Sequence, residues 1–163
     1  MEPTCEYMSE CCACGHLRKA ARVTSLLFDE AFRDVGLTNA QCSLLINISR
    51  FEPVSVTELA ARMHMDQTTV TRNIKILEKN RLVESFKDAG DARKKLVTLT
   101  PLGKSRLDSA KPGWQRAQTF IEEKLGPERF AEFLETMHLL TELRDEPDSS
   151  GDTSSCAPCG PKE

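Results

Sequence analysis

Apolar residues recur at three- and four-residue spacing along several stretches of the chain and alternate with polar ones along two short stretches, which predicts a mainly helical protein with a small strand pair. From about His16, the positions Leu17, Ala20, Ala21, Leu27, Phe28, Ala31 and Phe32 define a first helix that stops at Gly36. Leu37-Thr38-Asn39-Ala40-Gln41 then carries a capping box, in which Thr38 takes a backbone donor and Gln41, three residues on, reaches back. A second helix follows through about Ser49. Leu37 and Cys42 are spaced as a hydrophobic staple, so Cys42 is expected as a core thiol and not as a ligand. Phe51-Glu52-Pro53-Val54 breaks the pattern, and Ser55-Val56-Thr57-Glu58 is a second capping box, opening a short helix with Val56, Leu59, Ala60 and Met63 inward. After the tight connection His64-Met65, Asp66 is suited to cap a helix from Gln67 to about Lys79. Two helices joined this closely form a helix-turn-helix pattern.

Leu82-Val83-Glu84-Ser85-Phe86 and Lys95-Leu96-Val97-Thr98-Leu99 alternate as half-buried strands, with turn chemistry in Asp88-Ala89-Gly90-Asp91 between them. The pair reads as a wing. Thr100-Pro101 starts another helix, with proline at the first helical position, where its missing donor costs nothing. Pro112-Gly113 should kink or interrupt that helix. A last helix from around Pro127 carries Phe130, Phe133, Leu134, Met137, Leu140 and Leu143, a stripe that needs a partner. From Asp145 onward the chain is Pro, Asp, Ser, Gly and Thr without periodicity, a composition that does not offset the entropy of ordering and predicts a flexible tail.

Composition narrows the function. With 39% hydrophobic and 29% charged residues, a chain of 163 residues is a single folding unit by size, neither disordered nor membranous. No stretch approaches the ~20 apolar residues of a spanning helix, and Met1 to Ser9 has neither a basic start nor an apolar run, so a cytoplasmic protein is expected. The formal charge of -3 argues against nucleic-acid binding until its distribution is considered. Arg50 to Lys104 holds eleven Lys or Arg against seven Asp or Glu, while the remainder holds eleven against eighteen. The middle is a basic island in an acidic chain, which is the footprint of a phosphate-binding surface.

Within that island, Val70, Ile74 and Leu77 share one helix face, while Gln67, Thr68, Thr71, Arg72 and Lys75 lie on or near the other and Thr69 is placed for a phosphate contact. Amide, hydroxyl and cationic groups at the start of a short helix suit a DNA major groove. An ordinary solvated helix face would show the same polarity; the preceding capped helix and the following wing favour DNA. The wing tip sets Arg93, Lys94 and Lys95 beside a turn, within reach of a minor groove.

The chain resembles the MarR family of transcription regulators from about Leu17 to Leu143. The residues that carry the resemblance are Leu37-Thr38-x-x-Gln41-x-x-Leu44-Leu45, Val56-Thr57-Glu58-Leu59-Ala60, Gln67-Thr68-Thr69-Val70-Thr71-Arg72-x-Ile74-x-x-Leu77-Glu78, Asp91-x-Arg93-x-x-x-Val97-x-Leu99-Thr100 and Gly103. The resemblance implies a winged helix-turn-helix over 37–100 and a helical dimerisation region over 16–36 and 101–144, between a Cys-rich terminus 1–15 and an acidic tail 145–163. It also implies that Arg93 contacts the minor groove or a phosphate, that Asp91 braces it, and that the first and last helices intertwine in a homodimer on a pseudo-palindromic duplex, acting as a repressor and without catalysis.

Seven cysteines without an export signal point to reduced thiols, metal binding or redox sensing. Cys5, Cys11, Cys12 and Cys14 crowd the first helix's entrance, and Cys156 and Cys159 form a Cys-x-x-Cys in the tail. Cys11, Cys12, Cys14, Cys156 and Cys159 would suit zinc, copper(I), arsenic(III) or an iron-sulfur cluster, with His16 as an extra ligand, and soft metals or oxidants would then set DNA affinity. The alternatives are exposed thiols without a role, a metal- or arsenical-binding protein using the fold as scaffold, and a regulator answering to a small organic ligand in the crevice beside the winged domain. A thiol oxidoreductase is disfavoured, because Cys156 lacks the helix N-terminus that stabilises a reactive thiolate. Trp114 is a candidate pocket wall, although a lone Trp is more often core or interface.

Overall fold

The computed structural model describes residues 10–91 and 94–143. The tail, Cys5, Cys156 and Cys159, and Ala92 and Arg93 at the wing tip lie outside the described residues. Two compact units are formed, residues 22–118 and residues 10–21 with 119–143.

Helix α1 spans Ala13–Ala31, beginning three residues before the apolar pattern does. It is followed by a 3-10 turn at Arg33–Val35, ended by Gly36 at φ +65°, whose N–H bonds the Arg33 carbonyl. That left-handed conformation favours glycine. Helix α2, Asn39–Phe51, carries the expected capping box: Gln41 N–H donates to Thr38 Oγ1 at 3.2 Å, and Gln41 Oε1 accepts from Thr38 N–H at 3.0 Å. Leu37 and Cys42 are both buried, as the staple requires.

A short strand that the alternation does not announce, β1 (Val54–Ser55), precedes helix α3 (Val56–Arg62). Half of the second capping box forms. Ser55 Oγ accepts from Glu58 N–H at 3.1 Å, but the Glu58 carboxylate turns to Arg62 at 2.8 Å instead of reaching back. The turn at His64 leads to helix α4, Gln67–Lys79, which buries Val70, Ile74 and Leu77. Strands β2 (Val83–Lys87) and β3 (Lys95–Leu99) pair antiparallel with Ser85 opposite Val97, and β1 adds to the other edge of β3 with Val54 opposite Val97. The sheet order is β1-β3-β2.

Helix α5 runs Pro101–Leu125 as one element with Pro112 inside it, so of the kink or interruption expected at Pro112-Gly113 the interruption does not occur. Proline inside a helix costs roughly 3 kcal/mol, yet the helix continues through it. Pro112 is exposed, where water reaches the freed carbonyl, and Gly113 is buried so close to α1 that a Cβ would sit 2.3 Å from the Ala31 carbonyl oxygen. Gly103 makes a second close approach: its Cβ would lie 1.9 Å from the carbonyl oxygen of Leu82. Thr100 caps α5 at Gly103 N–H (3.0 Å) while donating to the Arg81 carbonyl (2.6 Å), and Arg106 donates to the Val35 carbonyl at 2.7 Å. Core residues from α2 to α5 and the three strands, including Leu45, Ile48, Leu59, Ile74 and Val97, form one cluster with Phe32, which follows α1, within residues 22–118.

Helix α6, Pro127–Glu142, starts after Gly126 and buries none of its residues. Phe133, Leu134 and Leu143 on its apolar stripe are 40%, 44% and 62% exposed. In α1, Val23 and Leu26 are 67% and 64% exposed. Among the described residues no helix is long and apolar enough to cross a membrane.

Candidate DNA-binding surface

The exposed side of α4 is built from its cap outward. Asp66 Oδ1 accepts from Thr68 N–H (2.8 Å) and Thr69 N–H (3.2 Å), and these donors hold its carboxyl below the ordinary carboxylate range. An acid in this position complements the positive end of the helix. Gln67, Thr68, Thr69, Arg72 and Lys75 are all exposed and Thr71 is half-buried, so each of the six residues expected to read DNA is accessible, with Gln67, Thr71 and Lys75 in line along one side of the helix. The hydroxyl hydrogen of Thr71 is committed to the Gln67 carbonyl at 2.7 Å, leaving its oxygen lone pairs and methyl for a partner.

Two features that periodicity does not reveal fix the surface in place. Glu78, one turn after Lys75 near the end of α4, accepts from Ser85 on β2 and from Lys95 on β3, the latter at 3.0 Å. Burial alone would raise its pKa, but these two hydrogen bonds, with the charges of Lys95 and Lys75, hold it below the ordinary value. Lys95, expected as an anchoring cation, is therefore also the tie between wing and helix. The second feature is Glu52, at the end of α2. Its carboxylate accepts from Thr98 Oγ1 (2.6 Å), Leu99 N–H (2.7 Å) and Lys104 Nζ (2.9 Å), joining α2, the wing and α5. Partial burial opposes ionisation there, and the three donors outweigh it, so its pKa is lowered.

At the wing tip, Asp88 N–H donates to the Lys94 carbonyl (3.0 Å) and Lys94 N–H to the Asp91 carbonyl (2.8 Å), which closes the turn and presents an exposed Lys94. The bracing of Arg93 by Asp91 lies outside the described residues. The remaining candidate residues are elsewhere. Cys11, Cys12 and Cys14 are exposed near the start of α1, and His16 faces the Cys12 carbonyl. Among the described residues no three metal-ligating side chains converge. Cys42 is buried, and burial pushes its thiol up to about 11, so it stays protonated at neutral pH. It lies at the wall of a cavity of about 310 Å³ between α2 and α5, with Ile46, Arg50, Leu107, Lys111 and Trp114.

A family model described as the MarR family matches residues 37–95, the stretch holding the helix-turn-helix and the wing. The chain is similar to the HTH-type transcriptional repressor NicR of Pseudomonas putida, with 30% identity over 138 residues, 84% of this chain and 85% of that protein. It is also similar to the transcriptional regulator MosR of M. tuberculosis, solved in complex with DNA, at 34% identity and a TM-score of 0.70 over 82% of this chain and 98% of that one. Bordetella bronchiseptica BpsR, whose DNA binding is regulated by 6-hydroxynicotinic acid, superposes with a TM-score of 0.72 at 26% identity, covering 83% of this chain and 94% of its own. The polar face on a capped second helix, the three-stranded wing tied to it, and relatives that share nearly their whole length all agree: this chain belongs to the MarR family and is a DNA-binding transcriptional regulator, not an enzyme.

Proposed function

We propose that the chain is a homodimeric repressor that sets α4 of each copy into the major groove of a pseudo-palindromic duplex, with the wing against the adjoining backbone. The exposed amide, hydroxyl and cationic face of α4 carries this reading, because those groups complement base edges and phosphates in that groove. The apolar stripes left open on α1 and α6 support a second copy as partner, since two copies bring equal stripes together and also supply two reading helices. The protein is expected to sediment at twice its 18.2 kDa chain mass, and Phe133→Glu with Leu134→Glu to yield a monomer. On a duplex selected from random sequence, Arg72→Ala and Lys75→Ala should each weaken binding, a phosphate contact also lowering the salt slope by about 1. Wild-type affinity in both variants would remove α4 from the interface.

The repressor responds to an effector, and the cavity between α2 and α5 supports an anionic aromatic one. Its volume of about 310 Å³ suits a small ring, Trp114 offers a stacking face, and Arg50 and Lys111 offer charge for a carboxylate. The ligand named for BpsR belongs to that class. A second reading, thiol sensing, is supported by the exposure of Cys11, Cys12 and Cys14; a zinc, copper(I), arsenic(III) or iron-sulfur site there would draw on Cys156 and Cys159 as well. DNA release by 6-hydroxynicotinic acid that is abolished in Trp114→Ala supports the cavity. Release by zinc or diamide that disappears when the five cysteines become Ser supports the thiols, and release by neither agent removes both readings.

A further inference from the structure

A groove of about 590 Å³ lies between α3, the start of α4 and the wing, and Ser55, Thr57, Gln67, Thr71, Lys94 and Lys95 contribute to its walls. Across it Gln67 Nε2 donates to Thr57 Oγ1 at 3.2 Å, linking the first helix of the helix-turn-helix to the first residue of the second. The fold does not depend on this bond. Asp66 already caps α4, Thr57 and Gln67 are both exposed, and a neutral hydrogen bond at the surface contributes little to stability. Its consequence is orientation.

We propose that Thr57 is a positioning residue that determines which base Gln67 reads. An unrestrained glutamine turns freely about its last torsion and can offer either end of its amide. With one Nε2 hydrogen committed to Thr57, Oε1 and the second Nε2 hydrogen are left as an adjacent acceptor and donor. Adenine shows the complement in the major groove, an N6 donor beside the N7 acceptor, whereas guanine shows two acceptors. The reversed amide would need the Thr57 hydroxyl to donate to Oε1. A phosphate in the groove beside Lys94 takes that hydroxyl hydrogen, so Thr57 can only accept from Gln67. Backbone engagement thereby sets the amide for adenine.

This inference rests on the reading of α4 as the recognition helix, and the test separates the two. Duplexes are selected from random sequence with the full-length protein and with Thr57→Val, Thr57→Ser and Gln67→Ala, and the selected duplex is compared with its adenine-to-guanine variants. Wild type is expected to prefer adenine at one half-site position by about tenfold or more. Thr57→Val narrows that ratio to about twofold while affinities for all other substitutions keep their order, and Thr57→Ser restores it. An unchanged ratio in Thr57→Val overturns the proposal, as does a Thr57→Ser variant that fails to rescue. Equal weakening on every duplex does so too, because it makes Thr57 a phosphate contact only. If Gln67→Ala changes no base preference at any position, the recognition-helix reading falls, and the proposal with it.

Discussion

Gly103→Ala is expected to cost about 3 kcal/mol or more of folding stability, at the upper end for adding one methyl group to a packed site. The new Cβ would stand 1.9 Å from the Leu82 carbonyl oxygen, well inside contact distance, and the atom it meets is backbone, not the end of a side chain. That carbonyl cannot move cheaply. It accepts from Thr100 N–H at 3.1 Å, in the junction where α4, β2 and α5 meet. Relief requires α5 to lift away from buried Leu82, which exposes the core between them. Urea denaturation should show a lower midpoint with an unchanged slope. A loss below about 1 kcal/mol would mean that α5 slides without penalty and that the packing at Gly103 does not hold the junction.

Much of this architecture is legible in the chain because its signals are local. Thr38 with Gln41, and Asp66 ahead of Gln67, act over three residues, and Val70, Ile74 and Leu77 fall on one face by helical period alone. What escapes the sequence depends on distance. Pro112-Gly113 reads as a break until Ala31, far away in the chain, is found packed against Gly113. β1 is two residues long, too short for alternation to register, and exists because β3 offers an edge. Glu58 fits a capping box by spacing, yet Arg62 one turn on competes for its carboxylate and wins. The polar face of α4 is legible in the sequence, but the ties that orient it are not. Lys95 pairs with Glu78 across seventeen residues, and Glu52 with Leu99 across forty-seven, and nothing in their spacing marks them. The one local cue to Glu52 is its place as a charged residue directly after the last turn of α2.

Glu52 carries the second large expectation, an acid-sensitive tie. Its folded pKa lies below its ordinary value, as does that of Glu78, so each contributes stability that is complete above the unfolded carboxylate range and is lost as pH falls through the folded pKa. Stability should therefore be flat near neutrality and fall below about pH 4.5. Glu52→Ala leaves the buried Leu99 N–H without its acceptor and frees Lys104, at a cost of about 2 kcal/mol at pH 7. Glu52→Gln keeps an acceptor for Leu99 but cannot titrate, so its stability should decline less steeply than wild type between pH 5 and about pH 3. Superimposable acid limbs for Glu52→Gln and wild type would show that the acid loss arises elsewhere. Under the proposed response to a cavity ligand the tie would also carry the signal, because Arg50 at the α2-α5 cavity lies two residues from Glu52 on the same chain end, and Glu52 grips the wing strand directly. An occupant that shifts the last turn of α2 therefore pulls on β3. Glu52→Ala is expected to retain DNA binding at neutral pH, weakened, while losing most of its response to a cavity ligand; a full response in that variant would place the coupling between cavity and wing on another path.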